Sequence, residues 1–285
     1  MNVTPGSPHR QLSTVTEKLL RQERLVVVAG ICLLLLLSWW YLLGGAGTGM
    51  DPRHMTTSAF PPPPLRGRTS AWGIDYWLLM LLMWWVMMIA MMLPSAAPTV
   101  LLFARVQRHN QAGQAAVSAA PTGSFLAGYL LAWLLFSAAA TFLQWLLERA
   151  GLLHSMLMWS SSTTLSAIVL LLAGAYQFTP AKRTCLRHCR GPAVFLSRHW
   201  RPGARGALAM GLHHGLFCVA CCWAMMLLLF VGGVMNLLWI AGLALLVLLE
   251  KLLPNGERLS RVFGLAALLA GLYLLLLWTP APATG

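Results

Sequence analysis

Charge is scarce in this chain. Of its 285 residues 9% are charged and only seven are acidic, against 58% that are hydrophobic. A soluble domain carries about a quarter charged residues because its surface faces water, so a soluble globular fold is excluded. The chain also lacks a P-loop, a Gly-rich dinucleotide fingerprint, a zinc-protease motif and a nucleophile elbow. No ATPase element and no solenoid repeat is present, so any movement of a cargo would be driven by a gradient or by handover.

Long apolar runs are plentiful. Segments near twenty residues with almost no charge match a bilayer core of about 30 Å. They predict helices near 25–43, 73–93, 125–147, 164–178, 206–231, 235–250 and 262–278, the fourth of them beginning as early as Met156. The expected fold is therefore all-α, a polytopic bundle of about seven transmembrane helices in one membrane domain over 25–278. A cytoplasmic tail (1–24) precedes it and a short outer tail (279–285) follows. The first run, Leu25 to Leu43, is longer than a signal-peptide core, and Gly44-Gly45-Ala46 is a poor cleavage site, so it reads as a retained anchor. Pro61-Pro62-Pro63-Pro64 reads as a stiff outer spacer, and Gln111 to Ser124 as a flexible linker.

The net charge of +13 suggests nucleic acid, but its placement points to the lipid bilayer instead. With the N-terminus inside, sixteen of the twenty Lys and Arg fall on cytoplasmic segments, seven of them between Lys182 and Arg205, and three more at Lys251, Arg258 and Arg261. Only Arg53, Arg66, Arg68 and Arg149 fall outside. Retained basic residues set orientation, so the N-terminus is expected inside and the C-terminus outside, with attraction to anionic headgroups.

Chemistry concentrates in three places. In Gly211-Leu-His-His-Gly-Leu-Phe-Cys-Val-Ala-Cys-Cys-Trp-Ala-Met-Met226, His214, Cys218, Cys221, Cys222 and Met225 fall within a sector of about 100° on one helix face. Soft sulfur ligands select Cu(I) most readily, with zinc and iron–sulfur as competitors. Gly211 and Gly215 beside that face let another helix approach closely. A single Cys is usually a packed small hydrophobe; three within five residues, one turn after a His, are not. The second helix aligns Met80, Met87 and Met91 within about 40°, thioethers suited to a mobile Cu(I) ion or to plain packing. Pro94 and Pro98 mark its kink or end. The third cluster is Cys185, His188 and Cys189, among Lys182, Arg183, Arg187 and Arg190, which favour thiolate. A basic loop with incidental thiols reads the same residues, since Cys–x₃–Cys is no specific zinc spacing. Cys32, alone in the first helix, is expected only to pack. Asp75 and Glu250 are acids at helix ends and so candidates for function, although Glu250 with Lys251 also fits an interfacial marker.

Taken together, Trp84-Trp-Val-Met-Met-Ile-Ala-Met-Met-Leu-Pro-Ser-Ala-Ala-Pro98, Tyr176-Gln-Phe-Thr-Pro-Ala-Lys182 with Cys185 and Cys189, Cys218-x-x-Cys-Cys-Trp223, Gly232-Gly-x-Met-Asn236 and Glu250-Lys251 resemble a bacterial family. Its members are integral membrane proteins described as metal-binding and of unknown function, and the likeness runs from about residue 70 to 278. The resemblance implies a metal role in a bacterial inner membrane. It also implies, from some members, copper supply to copper oxidases such as tyrosinases and laccases. The expected function is Cu(I) handling: reception near Cys185, His188 and Cys189, holding by Cys218, Cys221, Cys222 and His214, and release along the Met face. Partners would be a copper chaperone or an apo copper oxidase, with no nucleic acid. Two further readings stand beside it: a membrane thiol–disulfide oxidoreductase using Cys218-Val-Ala-Cys221, and a structural assembly factor.

Overall fold

A computed structural model of the chain describes residues 8–48, 56, 72–110, 120–154 and 158–276. These residues are all-helical apart from connections and one isolated bridge, Leu153 to Ser160. In chain order the helices are α1 (Pro8–Leu43), α2 (Ile74–Asn110), α3 (Ala120–Arg149), α4 (Thr163–Tyr176), α5 (Pro180–Arg190), α6 (Pro192–His199), α7 (Gly203–Met226), α8 (Leu229–Gly232), α9 (Leu237–Leu252) and α10 (Gly256–Leu276). The proline spacer, most of the predicted linker (111–119) and the predicted outer tail lie outside the described residues.

Among the described residues five helices are long and apolar enough to cross a membrane: Leu25–Leu43 of α1, α2, α3, Gly203–Gly232, and α10. The pair α4–α5, bent by 65°, makes a sixth if it is one broken span. The predicted sixth helix is α9, whose 16 residues rise about 24 Å, less than the roughly 30 Å of a bilayer core.

Local chemistry sets the breaks. Ser162 caps α4 by accepting the Leu165 amide at 3.3 Å, and 158–162 is not helical, so α4 does not reach back toward Met156. Pro180 has no amide hydrogen to continue α4. Thr179 instead caps a new helix by accepting the Lys182 amide at 3.2 Å, and the chain turns into α5.

Of the kink or end expected at the prolines of α2, the end is excluded: the helix runs 37 residues with Pro94 and Pro98 inside. Each proline removes an amide donor, and in a bilayer a freed carbonyl needs a nearby side chain. The carbonyls that lose their donors are those of Ala90 and Pro94; between them the Met92 carbonyl accepts side-chain bonds from Ser95 Oγ at 2.8 Å and from Tyr129 Oη at 3.2 Å.

α7 is the most buried of the spans and α1 the least. Two crossings made by small residues bring α7 and α10 against their neighbours. A Cβ at Gly211 would strike the Phe125 carbonyl, and one at Gly128 the Leu208 carbonyl, so α3 and α7 touch backbone to backbone. A Cβ at Gly174 would stand 2.8 Å from the Gly264 carbonyl, and one at Gly271 3.0 Å from the Ala167 carbonyl, which joins α4 to α10. Packing of this kind replaces the hydrophobic effect as the force between helices in lipid.

Candidate metal centre

The face predicted for α7 is real and buried: Cys218, Cys221 and Cys222 are each at most 1% exposed. α5 lies against it and brings Cys189 Sγ to 3.9 Å from Cys221 Sγ. Cys218 lies one turn before Cys221 and Cys222 on the same buried face of α7. From α2, Met92 Sδ stands 3.9 Å from Cys222 Sγ. Four thiols and a thioether, contributed by three helices, thus form one sulfur cluster. Cys221 and Cys222 point their S–H groups at the Cys218 carbonyl, at 3.1 and 2.9 Å. All the cysteines are free thiols.

Two buried cations adjoin the cluster. Lys251 Nζ is 2.8 Å from Cys218 Sγ and 3.1 Å from Ser95 Oγ. Tyr129 Oη is 3.2 Å from the same sulfur. Lys182 Nζ lies 2.9 Å from both Glu250 oxygens and donates to the Cys221 carbonyl at 2.6 Å. Lys182 and Glu250 are 1% exposed and Lys251 8%. An ammonium out of water requires an anionic or strongly polar partner. Glu250 provides it for Lys182, while the partners of Lys251 are Cys218 and Ser95.

These placements correct several sequence expectations. Lys182 and Lys251, which the sequence assigns to cytoplasmic segments, are core residues, because α5 and α9 turn them onto α7. Glu250 pairs with Lys182 from another helix rather than with its neighbour Lys251. Cys189, expected in a separate cytoplasmic cluster, joins the α7 thiols, since the bend at Thr179 swings α5 across α7. That cluster splits: Cys185 is half-buried, and His188 stacks on Phe217 with ring centroids 4.3 Å apart and puts Nδ1 3.0 Å from the Thr184 carbonyl. His214 is buried but lies among the rings of Phe195, Tyr129 and Phe125 at 5.2, 6.0 and 6.2 Å, and its Nδ1 has no hydrogen-bond partner. Met225, Met87 and Met91 fill the core, and Met80 accepts a contact from Gln144 Nε2 at 3.6 Å. Cys32 and Asp75 are exposed.

Sequence reasoning missed Tyr129, Lys251 and Met92 as parts of the site, and placed Lys182 only as a flanking charge of the Cys185–Cys189 cluster. A Lys directly after Glu250 in an apolar helix was the one visible signal. It also missed a buried polar group in the second half of α3: Glu148 accepts from Trp72 Nε1 at 2.9 Å and from Gln144 Nε2 at 3.0 Å, and Gln144 in turn accepts from Trp84 Nε1 at 2.8 Å.

Among the described residues no group of three or more His, Cys, Asp or Glu side chains is arranged to hold a metal ion as it stands. The donors are nonetheless chemically of one kind, soft sulfur, which suits Cu(I). The chain belongs to the PpoB2 copper chaperone family, whose sequence model matches residues 81–274. No curated protein and no solved structure matches it.

Proposed function

We propose that this chain carries Cu(I) through or out of a bacterial inner membrane for a partner copper enzyme, and that the sulfur cluster is where it holds the ion. The observation that carries the reading is the Cys189–Cys221 pair, with sulfurs 3.9 Å apart on two different helices and Cys218 beside Lys251. With metal–sulfur bonds of about 2.3 Å, an ion bound to both sulfurs sits only about 1.2 Å off the line joining them. Loading requires the thiols to release protons and Cys221 to leave the Cys218 carbonyl. Two thiolates on Cu(I) carry one net negative charge, which an apolar interior tolerates poorly. The Lys251 ammonium supplies the compensating charge. Cys222 and Met92 stand next, and Met91, Met87 and Met80 continue along α2 over about 18 Å as neutral, weaker donors for release. His214 and Met225, one helical turn to either side of the thiols, are supporting ligands in this reading, and Cys185 is a spare thiol on the α5 side.

The membrane arrangement proposed is seven crossings with the N-terminus inside and the C-terminus outside, α9 counted as a short crossing beside α2. The family supports copper handling, and the apolar helices support a membrane location. The handover partner is proposed as an apo copper oxidase.

The test is a Cu(I) competition titration of the purified protein under anaerobic reduction. Cys189→Ser, Cys218→Ser and Cys221→Ser should each sharply weaken binding and Cys32→Ser should leave it unchanged; zinc bound more tightly than copper would change the cargo. A second reading, thiol–disulfide exchange, is favoured by the cation 2.8 Å from the first cysteine of a Cys-x-x-Cys pair. A Cys218–Cys221 disulfide in air-exposed protein, seen by mass, with copper affinity equal in wild type and variants, would replace the first reading by the second.

A further inference from the structure

Outside the sulfur cluster, the described residues bring several imidazoles together where α5, α6 and the first half of α7 meet. His199 ends α6, and its ring centroid is 4.9 Å from that of His213 on α7. Both are half-buried and line a cavity of about 220 Å³ with Arg201, Ala209 and Met210. The Met210 sulfur faces this region, accepting the Arg201 amide at 3.2 Å.

The tautomers follow from the hydrogen bonds. His199 Nδ1 is 3.1 Å from the Phe195 carbonyl, and a carbonyl only accepts, so Nδ1 carries the proton and Nε2 keeps a free lone pair. His188 is fixed the same way by the Thr184 carbonyl at 3.0 Å. Metal-binding histidines are commonly oriented by a carbonyl behind the other ring nitrogen. Toward the sulfurs, the Phe217 ring lies 4.9 Å from His213 and 4.3 Å from His188, and Cys189 is the next residue of α5 after His188.

We propose that His199, His213 and the Met210 thioether form a second, exchangeable copper site, a loading port from which the ion passes by way of His188 to Cys189. The proposal rests on the copper reading of the sulfur cluster and names its entrance. Two imidazoles and a thioether suit copper better than zinc, because the thioether is soft. Arg201 lines this cavity, Arg187 and Arg198 line a neighbouring one with His188 and His199, and their charge opposes a bound cation. The site is therefore weaker than the thiols, as a port must be if it is to release its ion inward.

The test uses the full-length protein in detergent micelles and two measurements. The first is the rate at which Cu(I) leaves a coloured chelator for the protein. His199→Gln, His213→Gln and their combination should slow loading on the order of tenfold or more while leaving the final copper affinity of the thiols unchanged, which also shows that the variants are folded. The second is X-ray absorption at the copper edge in a Cys189→Ser/Cys221→Ser background. There the ion should show imidazole nitrogen ligation that disappears when His199 and His213 are also replaced. Met210→Leu, which conserves volume, covers the case in which the histidine variants do not fold; it should reduce the preference for copper over zinc. Unchanged loading rates, absence of an imidazole signature, or zinc held more tightly than copper would overturn the port. If wild type binds copper through imidazoles and not through thiols, the sulfur reading fails and the imidazole site is a binding site but not a port. Thiol binding with loading indifferent to both histidines keeps the sulfur reading and removes the port.

Discussion

Replacing Lys182 by Met tests what positions the sulfur cluster. The ammonium lies 2.9 Å from both carboxylate oxygens of Glu250, with each side chain 1% exposed. At an effective dielectric of about 20 and this separation the gross attraction is about 6 kcal/mol. Several kcal/mol of desolvation for each ion cancels most of it, so the intact pair contributes little net stability. Removing one partner is another matter, since it strands a buried charge and costs about 3–5 kcal/mol. Lys182→Met should therefore destabilise the protein by that amount, Glu250→Leu by a similar amount, and the double variant by much less than their sum. Its coupling energy should lie near 3 kcal/mol, the upper end of measured pairs. Reversible unfolding in mixed micelles with increasing sodium dodecyl sulfate measures all three. Function separates from stability here: Lys182 also donates to the Cys221 carbonyl at 2.6 Å, so the double variant regains stability but keeps α5 less firmly on α7, and its Cu(I) affinity stays below wild type. A coupling under about 0.5 kcal/mol, or full copper affinity in Lys182→Met, would refute the view that this pair seats Cys189 against Cys221.

Gly211→Ala should cost about 1–3 kcal/mol through overpacking, because its Cβ meets the Phe125 carbonyl, whereas Gly242→Ala, with nothing within 4 Å, should not destabilise; thermal aggregation midpoints in detergent compare the two. Lys251→Met should lower Cu(I) affinity more than it lowers stability, since the uncompensated charge appears only when thiolates hold the ion; competition titration beside unfolding reads this, and an unchanged affinity would show Lys251 to be structural. Reporter fusions at Gly113, Pro192 and the C-terminus should report inside, inside and outside; a Pro192 fusion active only in the periplasm would invert the orientation.

Class and chemistry were legible in the sequence because both are local. Apolar runs and missing charge determine a helical chain with helices long and apolar enough to cross a membrane wherever they pack, and the 100° spacing puts Cys218, Cys221 and Cys222 on one face of any helix they form. The small residues Gly211 and Gly215 likewise announced a close crossing, though not that α3 makes it. What sequence spacing cannot reveal is which faces meet. The Thr179–Pro180 bend carries Cys189 to Cys221 across 32 positions, and the crossing of α3 on α7 sets Tyr129 against Cys218 across 89. Lys251 is the sharpest case: a basic residue at the end of an apolar helix reads as a surface marker, yet α9 packs against α2 and α7 so that its ammonium reaches Cys218. Charge was read by its position along the chain, but burial is decided by the neighbours that a packed bundle provides, and only the tertiary structure supplies those.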